Sequence, residues 1–148
     1  MPSITAVIPY IVVKDADAAI AFYKVAFGAK ELFRMTDPQD GRVGHAELKF
    51  GESVVMLADE YPDFGAVGPD TIGGTPVTFH LVTGAVDADV AHAAEHGATV
   101  LRGPANQSFG ERNALLLDPF GHRWMLGQTM EVVSPEDMQR RWNDETGA

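Results

Sequence analysis

The sequence predicts an α+β chain of two tandem β-α-β-β-β modules followed by a C-terminal helix. Three observations carry that expectation. First, the letters repeat: Asp15-Ala-Asp-Ala with Gly28-Ala29 returns as Asp87-Ala-Asp-Val with Gly97-Ala98. Second, the stretch from Gly44 to Ala58 has the form strand, glycine turn, strand, and it is echoed from Arg112 to Leu126. Third, residues 134–143 carry helix start signals beyond the second copy.

In order along the chain, residues 4–13 form a β-rich run in which Pro9 points to an edge position or a bulge. Asp15 or Asp17 can cap a helix through about Phe27, with Ala18, Ala19, Phe22, Tyr23 and Ala26 on one stripe. Gly28 then stops it. Strand-like runs follow at 31–35, 43–50 and 53–58, the last two joined at Gly51-Glu52. A two-residue turn there sets Glu47 opposite Met56, with His45 and Lys49 on the same face as Glu47. Residues 61–75 are dense in Gly, Pro and Asp and read as a linker. The second module spans about 76–128, with strands at 76–83, 99–101, 113–117 and 123–127 and a helix opening at Val86. In the tail, Ser134 is the expected N-cap, Pro135 fits the first helical position, and Met138, Arg141 and Trp142 share a face that wants a docking surface. Residues 143–148 are expected to fray. The whole chain, 1–148, is expected to fold as one domain.

Composition narrows the function classes. Eleven basic against 21 acidic residues give a formal charge of −10, which disfavours nucleic acid as a partner and weakly favours a cationic ligand. With no cysteine, thiolate catalysis and cysteine-bound metal are excluded, which suits a cytoplasmic setting. No apolar run approaches the length of a membrane span, so no membrane partner is expected.

With these features the chain resembles the vicinal oxygen chelate superfamily of glyoxalases, bleomycin-resistance proteins and extradiol dioxygenases. The resemblance rests on the paired modules, Phe22-Tyr23 before Phe27-Gly28-Ala29, and Asp118-Pro-Phe-Gly-His122. His45-Ala-Glu-Leu, Gly51-Glu-Ser-Val-Val-Met-Leu, Phe109-Gly-Glu-Arg112 and Val133-Ser-Pro-Glu-Asp-Met138 are similar to its PhnB-like branch. The resemblance implies a homodimer and a small-molecule cleft. It also implies four metal positions on the first and last strands of each module, which matching its motifs puts at Ile8, Met56, Val77 and Met125, a match that the constant spacing of 69 supports. None carries a nitrogen or oxygen ligand, and thioether sulfur is too soft for zinc, nickel, iron or manganese. No cofactor is therefore expected.

Strand parity assigns Ile8, Tyr10, Val12, His45, Glu47, Met56, Val77, Phe79, Ala114, Leu116 and Met125 to the cleft face, with Phe109 and Arg112 near its mouth. An apolar surface with a few polar groups is the make-up of a small-molecule site. Glu47 is the candidate general base, or else ion-paired with Arg112 or Lys49. His80 falls on the alternate face and is expected to pack under a helix as a core histidine. Three readings stay open: a metal-independent binder working by sequestration, a lyase or isomerase using Glu47 with or without metal at His45, and a scaffold dimer with an occluded cleft.

Overall fold

The computed structural model of the chain describes residues 1–147. They form two compact units. The first comprises Met1–Thr75 and the turn Pro119–His122; the second comprises Pro76–Asp118 and the described residues from Arg123 onward.

In the first unit, β1 (Tyr10–Val13), α1 (Ala16–Phe27), β2 (Lys30–Thr36), β3 (Val43–Phe50) and β4 (Ser53–Asp59) follow one another. The sheet order is β1-β4-β3-β2, with β1 parallel to β4 and the other pairs antiparallel. Alternation sorts the strands into two faces. Ile11, Val13, Ala46, Leu48, Val55 and Leu57 are buried on the face that takes the apolar stripe of α1. Asp15 caps α1 by accepting from the Ala18 N–H, and Gly28 ends it with φ of 69°, a conformation that favours glycine. Buried Asp59 joins two elements: its Oδ1 accepts from the Ala16 N–H (2.8 Å) and its Oδ2 from the Val43 N–H (2.6 Å).

Two expectations are corrected here. The first strand is only Tyr10–Val13, not residues 4–13; Pro9 has no N–H for a ladder, although its carbonyl accepts from the Met56 N–H. The segment 61–75 is also not structureless, since it holds a 3-10 turn (Pro62–Phe64) and α2 (Pro69–Ile72). Glu60 fastens it by accepting from the Gly68 N–H and the Thr71 hydroxyl.

The second unit repeats the plan as β5 (Thr78–Val82), α3 (Val86–Glu95), β6 (Thr99–Asn106), β7 (Glu111–Leu117) and β8 (Arg123–Thr129), with sheet order β5-β8-β7-β6. Its buried face centres on Trp124, whose indole N–H donates to Asp118 Oδ2 at 2.8 Å. The tail helix α4 (Pro135–Thr146) starts at Ser134, whose hydroxyl accepts from the Asp137 N–H. It runs three residues past the expected end. Gly147 closes it in a left-handed conformation and donates to the Asn143 carbonyl, while the Thr146 hydroxyl bonds back to the Trp142 carbonyl. Of the segment expected to fray, Ala148 lies outside the described residues.

Candidate functional site

The open face of the first sheet gathers one connected polar group in an apolar frame. Glu47 pairs across the ladder with Met56, and Met56 with Tyr10 on the edge strand. His45 lies two residues before Glu47 on the same face. The Tyr10 hydroxyl is 2.8 Å from His45 Nδ1, and His45 Nε2 is 3.0 Å from Glu47 Oε2. An ionised carboxylate only accepts, so in a neutral imidazole Nε2 carries the proton and Nδ1 accepts from the tyrosine. Partial burial first, and the nearby Glu47 charge second, push the Tyr10 phenol above its ordinary range, which keeps it a donor at neutral pH.

Two residues that strand parity did not single out complete this face. Phe33 pairs with Glu47 and Met35 with His45 across the β2–β3 ladder. The rings of Phe33 and Tyr10 lie 5.7 Å and 5.4 Å from the His45 ring, so three aromatic planes line the sheet from one edge strand to the other. The alternation within 31–35 was a signal for them. What it lacked was the β2 register, which two irregularities shift. Neither ion pair weighed for Glu47 forms: its partner is His45, while Arg112 donates to Asp87 Oδ1 (2.9 Å) and Asn106 Oδ1 (3.2 Å).

In the second unit the expected faces are exchanged. Tyr10 pairs with Met56 in β1–β4, but in β5–β8 it is His80 that pairs with Met125, not Phe79. The spacing is therefore 70 between Tyr10 and His80 but 69 between Met56 and Met125. A slip of one residue carries every side chain of a strand to the other face. Phe79 accordingly packs at a tilt against buried Trp124, with centroids 4.9 Å apart, and on β7 it is Leu115 that faces Met125, so Ala114 and Leu116 lie in the core rather than in a cleft. Met125 stays on the open face, paired with Leu115. His80 is not a core histidine: its side chain is 40% exposed on that same face. Phe109 is exposed on the β6–β7 turn, beside Gly110, where any Cβ would lie 2.2 Å from the Glu131 carbonyl oxygen.

The four positions that the resemblance offers for a metal, Ile8, Met56, Val77 and Met125, carry two hydrocarbon side chains and two thioethers. These side chains do not fit a divalent transition metal. Nor do the described residues contain any group of three or more His, Asp or Glu side chains that could hold one. No described helix is long and apolar enough to cross a membrane.

The family model of the Glyoxalase/Bleomycin resistance protein/Dioxygenase superfamily matches residues 4–126. An uncharacterized protein of Mycobacterium tuberculosis is 42% identical over 134 residues, covering 88% of this chain and 78% of its own. Among solved structures, a gene product of Arabidopsis thaliana is 26% identical with a TM-score of 0.67, covering 84% of this chain and 98% of that one. A PhnB protein from Bacillus cereus shares the fold at 14% identity and a TM-score of 0.65, covering 84% and 100%.

Proposed function

We propose that this chain, which belongs to the glyoxalase/bleomycin resistance protein/dioxygenase superfamily, binds a small molecule on the open face of its first sheet without a metal, acting by sequestration. The observation that carries the reading is the saturation of His45. Its Nε2 is engaged by Glu47 and its Nδ1 by Tyr10, so no imidazole lone pair is free to take a metal. Oε1 of Glu47 has no partner among the described residues, and with the rings of Tyr10 and Phe33 and the thioethers of Met35 and Met56 it offers a hydrogen-bond acceptor set in an apolar wall. Such a surface suits a planar ligand bearing a cationic or N–H donor group, in keeping with the charge of −10. A homodimer in a cytoplasmic setting belongs to the same proposal, the dimer being open to light scattering behind a sizing column.

The test is calorimetric titration of untagged protein with zinc, nickel and manganese(II), followed by a thermal-shift screen of planar aromatic amines. The reading expects no stoichiometric metal heat. It also expects an amine whose binding weakens by about tenfold or more in Glu47→Gln, as loss of one hydrogen bond to a charged group implies. Near-stoichiometric metal, lost on His45→Ala, would sink it. Turnover of the bound compound abolished by Glu47→Gln would instead favour the lyase or isomerase reading, in which Glu47 is the general base.

A further inference from the structure

The second sheet carries a different polar cluster on its own open face, and the function proposed above makes no use of it. His80 Nε2 lies 3.1 Å from both carboxylate oxygens of Glu111. Asn113 Nδ2 donates to Glu111 Oε1 at 2.8 Å. Asn113 is itself only 2% exposed, and its Oδ1 accepts from Arg102 Nη2 at 2.6 Å and from Gln107 Nε2 at 3.3 Å. Arg102 has donors only, so it fixes which end of the Asn113 amide faces Glu111. Each link is thereby oriented: arginine holds asparagine, asparagine holds the carboxylate, and the carboxylate accepts the Nε2–H of His80. Burial alone would push the Glu111 carboxyl up, but the bonds from Asn113 and His80 outweigh it and hold it below its ordinary value.

A glycine makes this reach possible. Glu111 is on β7 and His80 on β5, with β8 between them. The Glu111 carboxyl crosses β8 at Gly127, where a Cβ would lie 2.5 Å from its Cδ and 2.6 and 2.7 Å from its two oxygens. Side chain at 111 and absence of side chain at 127 form one device.

The consequence for His80 is a free basic atom. With Nε2–H committed to Glu111, the lone pair of the neutral ring is on Nδ1, which has no partner among the described residues, on a side chain 40% exposed. Two residues before Met125 on this face stands Arg123, paired in register with Thr78. It makes no ion pair among the described residues, and its Nε is buried without an acceptor. A buried donor left unmatched costs free energy unless something supplies the acceptor. Along the strand, Arg123 and the His80–Met125 row are roughly 6–7 Å apart, from the rise per residue, which is within the span of a small molecule.

We propose that the open face of the second sheet is a site for small organic carboxylates bearing an acidic proton, with Arg123 as the anion anchor and His80 as the proton acceptor. In the step so described, the ligand's O–H or activated C–H bond breaks and its electron pair stays on the ligand. The proton forms a bond to His80 Nδ1, and the resulting imidazolium is held by Glu111. No co-reactant is needed. Glu111 and Asn113 act as positioning residues.

Diethyl pyrocarbonate, which acylates a free imidazole nitrogen, tests this on the intact protein with peptide mass spectrometry as the readout and malonate as the probe anion. His80 is expected to react faster than His45, whose two nitrogens are both engaged. Malonate is expected to protect His80 in the wild type and to lose about tenfold or more of its protective potency in Arg123→Gln. Gly127→Ala keeps the acid but displaces its carboxyl, so it should slow His80 acylation as Glu111→Gln does, while circular dichroism confirms the fold. Equal rates at His45 and His80, or unchanged rates in both Gly127→Ala and Glu111→Gln, would overturn the assignment of the base. Malonate protection that is absent, or that survives Arg123→Gln, would overturn the anchor. Failure of the aromatic-amine screen leaves these outcomes untouched, since they are read at His80 and Arg123, which that reading does not use.

Discussion

Tyr10→Phe removes one hydroxyl from the first site and leaves the ring that lies 5.4 Å from His45 in place. The bond deleted is the 2.8 Å contact to Nδ1, an interaction between neutral partners. Such a bond contributes about 0.5–1.5 kcal/mol, and the half-exposure of Tyr10 puts it at the lower end, since water can replace the donor. The expected cost is therefore about 0.5–1 kcal/mol, equivalent to roughly a two- to fivefold change in an equilibrium ratio. Two equilibria should report it. Urea unfolding should move by that small amount with its slope unchanged. The tautomer ratio of His45, read from long-range nitrogen–proton correlations of the imidazole, should begin strongly on the side of Nε2–H and lose part of that bias in Tyr10→Phe. A wild-type ring protonated at Nδ1, or a ratio indifferent to the substitution, would refute the tyrosine-to-histidine-to-glutamate direction of the chain. The case that His45 has no lone pair left for a metal would fall with it.

Two further outcomes follow from groups that hold the frame. Asp59→Ala orphans the N–H groups of Ala16 and Val43, and at about 1–3 kcal/mol for each buried unsatisfied donor it should cost about 2–6 kcal/mol in urea unfolding. A loss below about 1 kcal/mol would mean that water replaces the carboxylate there. The carboxyls of Glu31, held down first by the Arg34 hydrogen bond, and of Glu111 both have folded-state values below their unfolded ones. Their contribution is therefore fully present above about pH 4.5 and is lost as pH falls through the lower folded values. The urea midpoint should drop as the pH falls below about 4.5, and Glu111→Gln should flatten part of that drop.

The fold was legible because its signals are local and doubled. Asp15, Gly28 and Ser134 act as the caps and stops that their letters suggest, and the Gly51 turn sets Glu47 against Met56 as the two-residue loop requires. In the first unit, parity from that turn was enough to bring His45, Glu47, Met56 and Tyr10 together. The second unit defeated the same reasoning because register is set by a count across helix and turn, not by any residue within the strand. One residue fewer between His80 and Met125 than between Tyr10 and Met56 was invisible to a match of constant spacing. Phe79 was thereby placed on the open face, and His80 was sent to the core. The bond between Glu111 and His80 was hidden for another reason: it crosses an intervening strand, and the residue that permits the crossing, Gly127, looks in sequence like any other strand-end glycine.

The two units repeat one strand plan but set different side chains on their open faces. Register makes His80 the counterpart of Tyr10 and Leu115 the counterpart of Glu47, since both pairs lie across the same methionine row. The histidine of the second unit thus stands on the edge strand β5 rather than on an inner strand as His45 does on β3, and the carboxylate that meets it comes from the far end of β7. In the first unit a tyrosine closes the free side of the imidazole, so the ring is a fixed part of a wall. In the second unit nothing described occupies that side, and the carboxylate behind it is locked by a buried asparagine and an arginine. A histidine saturated at both nitrogens can orient a ligand but cannot take its proton. One held at a single nitrogen by an ionised carboxylate can do so. If this chain performs chemistry, the arrangement of donors favours His80 over Glu47 as its base, and a rate that falls on His80→Gln but survives Glu47→Gln is the measurement that separates the two.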